Sequence, residues 1–408
     1  MEISDSMEDP HRYYEQLRRL GSVPYDRVSG NYWVLRHDDA MLALTNRSFG
    51  KAPLRATGPI SNLQNLPWLP RLALRLRGVS HQTIAPITST MLTSDPPDHT
   101  RLRSLVQRAF TPRTVDRLRP RIEQIANDLL DRMSGGRQAD FVADFAFPLP
   151  ATVIAELIGV PEQDRSRFRH WSQQLILGVD PTQPSRVRAA AAVAVTQLLE
   201  YFRELVTSRR GHPADDLLTA LIAAEEAHDR LSVDELLGTC QVLLVAGHET
   251  TTNLIATGLL RLIRHPNALE QLRSTPALLP SAIEELLRFE SPVQLVPRAA
   301  LEDIEIGNTR IARGQRVIVW LAAANRDSEV FNDPNRLNLG REPNPHLAFG
   351  HGIHFCLGAS LARLEAQIAF GCMLQRLTDI QVAGEPVWGS NKVIRGLRSL
   401  PIRYTMHH

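Results

Sequence analysis

The sequence predicts a mainly helical protein with small β-sheets, and three observations carry that expectation. Helical apolar periodicity runs almost without interruption through 115–133, 148–158, 161–177, 186–208 and 214–227, with Gly and Pro between the segments. A further helical stretch begins at Ser232 and runs to about Arg264, roughly 45 Å, with apolar residues around most of its circumference, so it is expected to cross the interior. Strand-like runs are few and short, at 32–35, 304–311 and 315–320.

At 408 residues, length alone allows one large domain or two to three average ones. Hydrophobic residues make up 43% and charged residues 22%, with a formal net charge of +2, so charge points to neither nucleic acid nor a membrane surface. The first residues are acidic and polar, without the pattern of a signal peptide, and no apolar run reaches the ~20 residues of a membrane anchor. Three cysteines, Cys240, Cys356 and Cys372, make no disulfide framework, and a reducing cytoplasm fits them best.

In chain order, a short amphipathic helix over 9–19 precedes the strand at 32–35 and a helix over 37–44. Segment 52–90 mixes five prolines with apolar residues and carries Arg71, Arg75 and Arg77, which fits either a functional lid or a surface helix with a solvated arginine face. A proline-marked turn at 94–97 opens the next helix, on which His99 and Arg103 lie four apart and could clasp one anionic group. Spacing alone favours a solvated face over a ligand site.

The helix from Ser232 opens with a capping-box pattern, Ser232-Val233-Asp234-Glu235. Set into its middle is Ala246-Gly247-His248-Glu249-Thr250-Thr251-Thr252, a polar patch in a helix expected to be buried. Gly247 weakens the helix, threonines can bond back to preceding carbonyls, and a buried carboxylate needs a partner or a task. Local rules broken inside a core helix mark a functional site.

Glu285 and Arg288 are three apart on the next helix and can pair. Beyond them 291–298 reads as extended, 304–311 as a hairpin around Gly307-Asn308, and 325–344 as an irregular polar segment that must be held by side-chain bonds to its backbone. That segment leads into Phe349-Gly350-His351-Gly352-Ile353-His354-Phe355-Cys356-Leu357-Gly358, a glycine-rich turn followed by helical spacing over 357–377. A thiol at a helix start ionises more readily than a free one and binds metal as thiolate. Phe349 can shield the sulfur, and Gly358 lets the helix lie close against a flat ligand.

Taken together these motifs resemble the cytochrome P450s over essentially the whole chain. The cysteine turn matches the Phe-Gly-x-Gly-x-His-x-Cys-x-Gly signature at every fixed position, 246–251 matches the oxygen-activation motif, and Glu285/Arg288 matches the Glu-x-x-Arg pair, all in the family's order. The resemblance implies a single haem-thiolate monooxygenase domain over 1–408, with haem b (iron protoporphyrin IX) between the long helix and the cysteine helix. It makes Cys356 the axial iron ligand and places His99, Arg103, Arg298 and His354 at the propionates, with Phe349, Gly358, Ala246 and Gly247 against the haem. Gly247 would leave room for O2, the co-substrate; Thr250 would hydrogen-bond it and Glu249 would relay protons. Arg336 would complete a structural triad with Glu285 and Arg288.

With the chain used up by the haem domain, electrons are expected from a ferredoxin and its reductase, docked by Arg101, Arg108, Arg113 and Arg363. Net chemistry would be hydroxylation or epoxidation of a hydrophobic molecule in specialised metabolism, the nearest look-alikes being soluble bacterial enzymes acting on polyketides and fatty-acyl chains. Leu243, Ala246, Val293, Leu295, Val296 and Leu397 are the expected substrate contacts. The arginines of 52–90 would suit an acidic group or an acyl carrier protein, and a monomer is expected. The competing readings are a haem-thiolate peroxygenase or fatty-acyl hydroxylase, and a haem sensor; the Glu249-Thr250 pair argues against a peroxide-driven enzyme or a sensor, neither of which needs a proton relay.

Overall fold

A computed structural model describes residues 8–51, 54, 90–134, 136–226 and 231–407. Nearly all of the 52–90 segment, with Arg71, Arg75 and Arg77, lies outside the described residues. The chain forms two compact units, one of 1–49, 112–150 and 250–408 and the other of 50–111 and 151–249.

In the first unit, helices His11–Arg18 and His37–Thr45 flank a small sheet in which Tyr25–Asp26, Asn31–Val34, Arg316–Val319 and Val296–Ala300 lie side by side. Arg316–Val319 pairs in parallel with Asn31–Val34 and antiparallel with Val296–Ala300. One face buries Val34, Val317 and Val319 with Ala40, Leu44 and Leu347. Alternation along the strands sends Leu35 and Trp320 to a second cluster with Tyr14 and Leu17. The expected hairpin forms, with Ile306 opposite Thr309 and Gly307 at φ +56°.

Elements that the sequence reading passed over are the helix Pro266–Ser274 and a three-stranded sheet of Gln138–Asp140, Pro401–Met406 and Leu377–Val382. The stretch read as one helix over 115–133 is two, Pro112–Asp116 and Arg119–Met133.

In the second unit, Arg165–Val179 packs on Ser185–Gly211, which packs on Leu217–Glu226. The long helix is Val233–Arg264, its residues to Glu249 belonging to this unit and those from Thr250 to the first. Its capping box is made as read: the Ser232 N–H donates to Glu235 Oε2 (2.8 Å) and the Glu235 N–H to Ser232 Oγ (3.2 Å). No helix among the described residues is long and apolar enough to cross a membrane.

Candidate active site

The cysteine turn depends on backbone angles that side chains resist: Gly350 and Gly352 take φ of +67° and +70°. A Cβ on Gly352 would fall 2.4 Å from the Leu44 carbonyl oxygen, so the turn packs on His37–Thr45 only with glycine there. The Cys356 N–H donates to the Phe349 carbonyl at 2.9 Å and closes the loop. The helix itself is Ala359–Arg376, so Cys356 precedes the first turn instead of opening it. Among the described residues no disulfide engages it, and beyond the neighbours in the chain no atom lies within 4 Å of where a Cβ on Gly358 would stand, so a planar group can lie against the chain beside the thiol.

Phe349 is fixed from several sides, with the Arg363 guanidinium 4.5 Å over its ring and Phe355 and His346 6.3 and 6.1 Å away. Arg363 is bidentate on Glu284 at 2.7 Å through both nitrogens, and His346 Nε2 reaches the same carboxylate at 3.0 Å. Burial acts to raise the Glu284 pKa, but hydrogen bonds from Arg363 and His346 outweigh it and hold the group down at about 2. Arg363 is thereby paired with Glu284, as Arg101 is with Glu235, and the two side chains remain 33% and 35% exposed. Arg108 and Arg113 are exposed.

Arg298 lies on the strand Val296–Ala300 and is only 3% exposed, and His354 closes the short 3-10 turn Gly352–His354. In the second unit His99 and Arg103 sit on the helix Asp98–Gln107, His99 at 2% exposure and Arg103 half-buried, so this is not a solvated face.

Along Val233–Arg264 the burial pattern isolates the polar patch. Ala246 is exposed and Gly247, Glu249 and Thr250 are half-buried, whereas every residue from Thr251 to Leu260 is buried. The acid expected to be buried is therefore accessible. Gly247 has a packing reason: a Cβ there would stand 2.9 Å from Ile154 Cγ1. On the side where a Cβ would stand, Ile154 fills the space. His248 is buried, its Nδ1–H donating to the Leu244 carbonyl (2.6 Å) and its Nε2 lying 3.0 Å from Ser172 Oγ.

A fully buried acid lies elsewhere, Glu365 on the cysteine helix, with no exposure. Burial pushes its pKa up to about 8, only partly opposed by the Thr251 hydroxyl, so the carboxyl is protonated at neutral pH.

Glu285 and Arg288 are both fully buried and joined by two bonds of 2.7 and 2.8 Å. Arg288 spends its remaining donors on the carbonyls of Asn325, Pro334 and Arg336, which anchors the irregular segment to the helix Leu279–Glu290. The third side chain of the triad is Arg341, whose Nε lies 3.0 Å from Glu285 Oε2. Arg336, read for that place, has an exposed side chain and contributes its carbonyl alone to the Arg288 and Arg341 contacts.

Among the expected substrate contacts, Leu295 packs on the Tyr14–Trp320 cluster and Val293 and Val296 on the Val317–Val319 cluster. Leu295 is therefore committed to the core, on the opposite face of the segment from its neighbours. Leu243 and Leu397 are buried at 6% and 4% exposure.

A thiol presented by a glycine-built turn ahead of a helix, in a mainly helical chain with a buried Glu–Arg–Arg triad, is the architecture of the haem-thiolate enzymes. The chain belongs to the cytochrome P450 family, whose model matches residues 73–275 and 277–387. It is 52% identical over 406 residues to cytochrome P450 107B1 of Saccharopolyspora erythraea, covering 97% of this chain and 95% of that one. It is 41% identical to the polyketide biosynthesis cytochrome P450 PksS of Bacillus subtilis, covering 97% and 93%. Among solved structures, P450BioI in complex with hexadec-9Z-enoic acid ligated acyl carrier protein superposes with a TM-score of 0.87 at 36% identity, over 98% of this chain and 99% of that one. The family uses haem b and O2, and a half-buried thiol beside an open glycine face fits that group.

Proposed function

We propose that this cytochrome P450 inserts one oxygen atom from O2 into a C–H or C=C bond of a hydrophobic small molecule, with electrons from a ferredoxin and its reductase. The observation that carries the reading is the accessible acid and alcohol, Glu249 and Thr250, just ahead of the fully buried run from Thr251 to Leu260 of the same helix. When bound, haem supplies oxygen activation, and a thiolate ligand pushes electron density that favours O–O cleavage. Cys356 is the residue assigned to that ligation, and Phe349 shields the sulfur. Arg298 and Arg103, with His99 and His354, are assigned to the propionates, where guanidinium and imidazole N–H groups are donors for carboxylates. Thr250 holds a hydrogen bond at the reacting oxygen and Glu249 delivers the proton, directly or through water. Leu243, Ala246, Val293, Val296 and Leu397 remain the proposed substrate contacts.

For the substrate, kinship with a polyketide-pathway enzyme and with a P450 solved on an acyl carrier protein supports a polyketide or fatty-acyl chain, free or carrier-bound. Thr250→Ala is expected to keep haem and electron uptake while product per electron pair falls about tenfold or more, in the range that proton-transfer groups contribute. Measuring product and peroxide against NADPH consumed checks this, and full coupling in the variant would leave Thr250 a structural role only.

A further inference from the structure

His248, one residue before Glu249, is held between the Leu244 carbonyl and the Ser172 hydroxyl. A carbonyl can only accept, so the 2.6 Å contact to Leu244 O places a hydrogen on Nδ1. In a neutral ring Nε2 then carries the lone pair, and the Ser172 hydroxyl, 3.0 Å away and fully buried, donates to it. Ser172 Oγ also lies 3.3 Å from the Arg169 carbonyl, but one hydroxyl proton serves one acceptor well, and the nearer is Nε2. Ser172 belongs to Arg165–Val179, so this bond ties that helix to Val233–Arg264 one residue before the acid.

Glu249 is a charged group beside the ring, with Oε2 4.0 Å from Nε2. A hydrogen on Nε2 would convert that approach into a charge-assisted pair. We propose that Ser172 and His248 are a positioning pair which keeps Nε2 a proton acceptor, so that His248 never competes for the Glu249 carboxylate used in proton delivery. This rests on the relay role given to Glu249 above. The surroundings reinforce it: burial lowers the His248 pKa to about 4 against the opposing effect of the Leu244 carbonyl, so the ring is neutral in the working range.

The test is a long-range proton–nitrogen correlation spectrum of the ferrous carbonyl holoenzyme, with His248 identified by its loss in His248→Asn. The expected result is a neutral Nδ1–H ring from pH 8 to pH 5.5. In Ser172→Ala the His248 pKa should rise by at least one unit, a tenfold shift in protonation, through pairing with Glu249. It should fall back in Ser172→Ala/Glu249→Gln, and Ser172→Thr should retain the wild-type ring. An Nε2–H ring in the wild type, or no rise in Ser172→Ala, would overturn the proposal. Failure of the relay reading would show separately, as full coupling in Glu249→Gln with the His248 spectrum as expected.

Discussion

Arg288→Ala is expected to leave no stably folded haem protein. The five guanidinium donors all have acceptors, two on Glu285 and three on the Asn325, Pro334 and Arg336 carbonyls. Removing one partner of a buried pair costs about 3–5 kcal/mol, because the other charge stays behind without compensation, against a total stability of about 5–15 kcal/mol. Here three carbonyls lose their donor as well. For the same reason an apolar double replacement of Glu285 and Arg288 is not expected to rescue the fold, as such replacements can for an isolated pair. Glu285 also accepts from the Asn338 N–H at 2.9 Å and from Arg341, and those donors would be stranded. Soluble yield and urea midpoints check both variants; an Arg288→Ala midpoint equal to wild type would contradict the anchoring role.

Glu365→Gln should stabilise the protein, and by an amount that depends on pH. The folded carboxyl titrates near 8 and the unfolded one near 4.5, so between those values the folded state holds a proton that the unfolded state has released. Stability contributed by this group is therefore lost as pH rises from 4.5 to 8. At pH 7 the wild type forgoes about 3 kcal/mol, at about 1.4 kcal/mol per pH unit, and the glutamine variant avoids it. The two proteins should be close near pH 4.5 and diverge to an advantage of about 3–4 °C in Tm for the variant by pH 7, given the unfolding entropy of a chain this size. A difference that does not change with pH would mean that Glu365 is not held protonated in the fold.

These two sites also separate what sequence makes legible from what it hides. The cysteine turn, the capping box at Ser232 and the Glu285/Arg288 pair are local, with chemistry and spacing in one short window. The assignment of Arg336 failed because membership of the triad depends on the path of 325–344 through space. That path is set by bonds such as Asn325 Oδ1 accepting from the Leu347 N–H, which no periodicity encodes. Glu365 left no signal because glutamate is a good helix former, and only tertiary packing turns that position inward. The third sheet was missed for a similar reason: Gln138–Asp140 is three residues long and finds Pro401–Met406 some 260 residues away. Leu295 reads like its neighbours Val293 and Val296, and it lies in the irregular residues just before the strand Val296–Ala300, so only the folded path of that segment shows that it packs on the other cluster.

That Cys356 ligates haem iron as a thiolate is the central claim, and the carbon monoxide difference spectrum of the reduced, purified protein tests it most directly. The expected result is the long-wavelength Soret band of a thiolate-ligated haem, lost in Cys356→Ala. An imidazole-type band in the wild type, or an unchanged spectrum in Cys356→Ala, would contradict it.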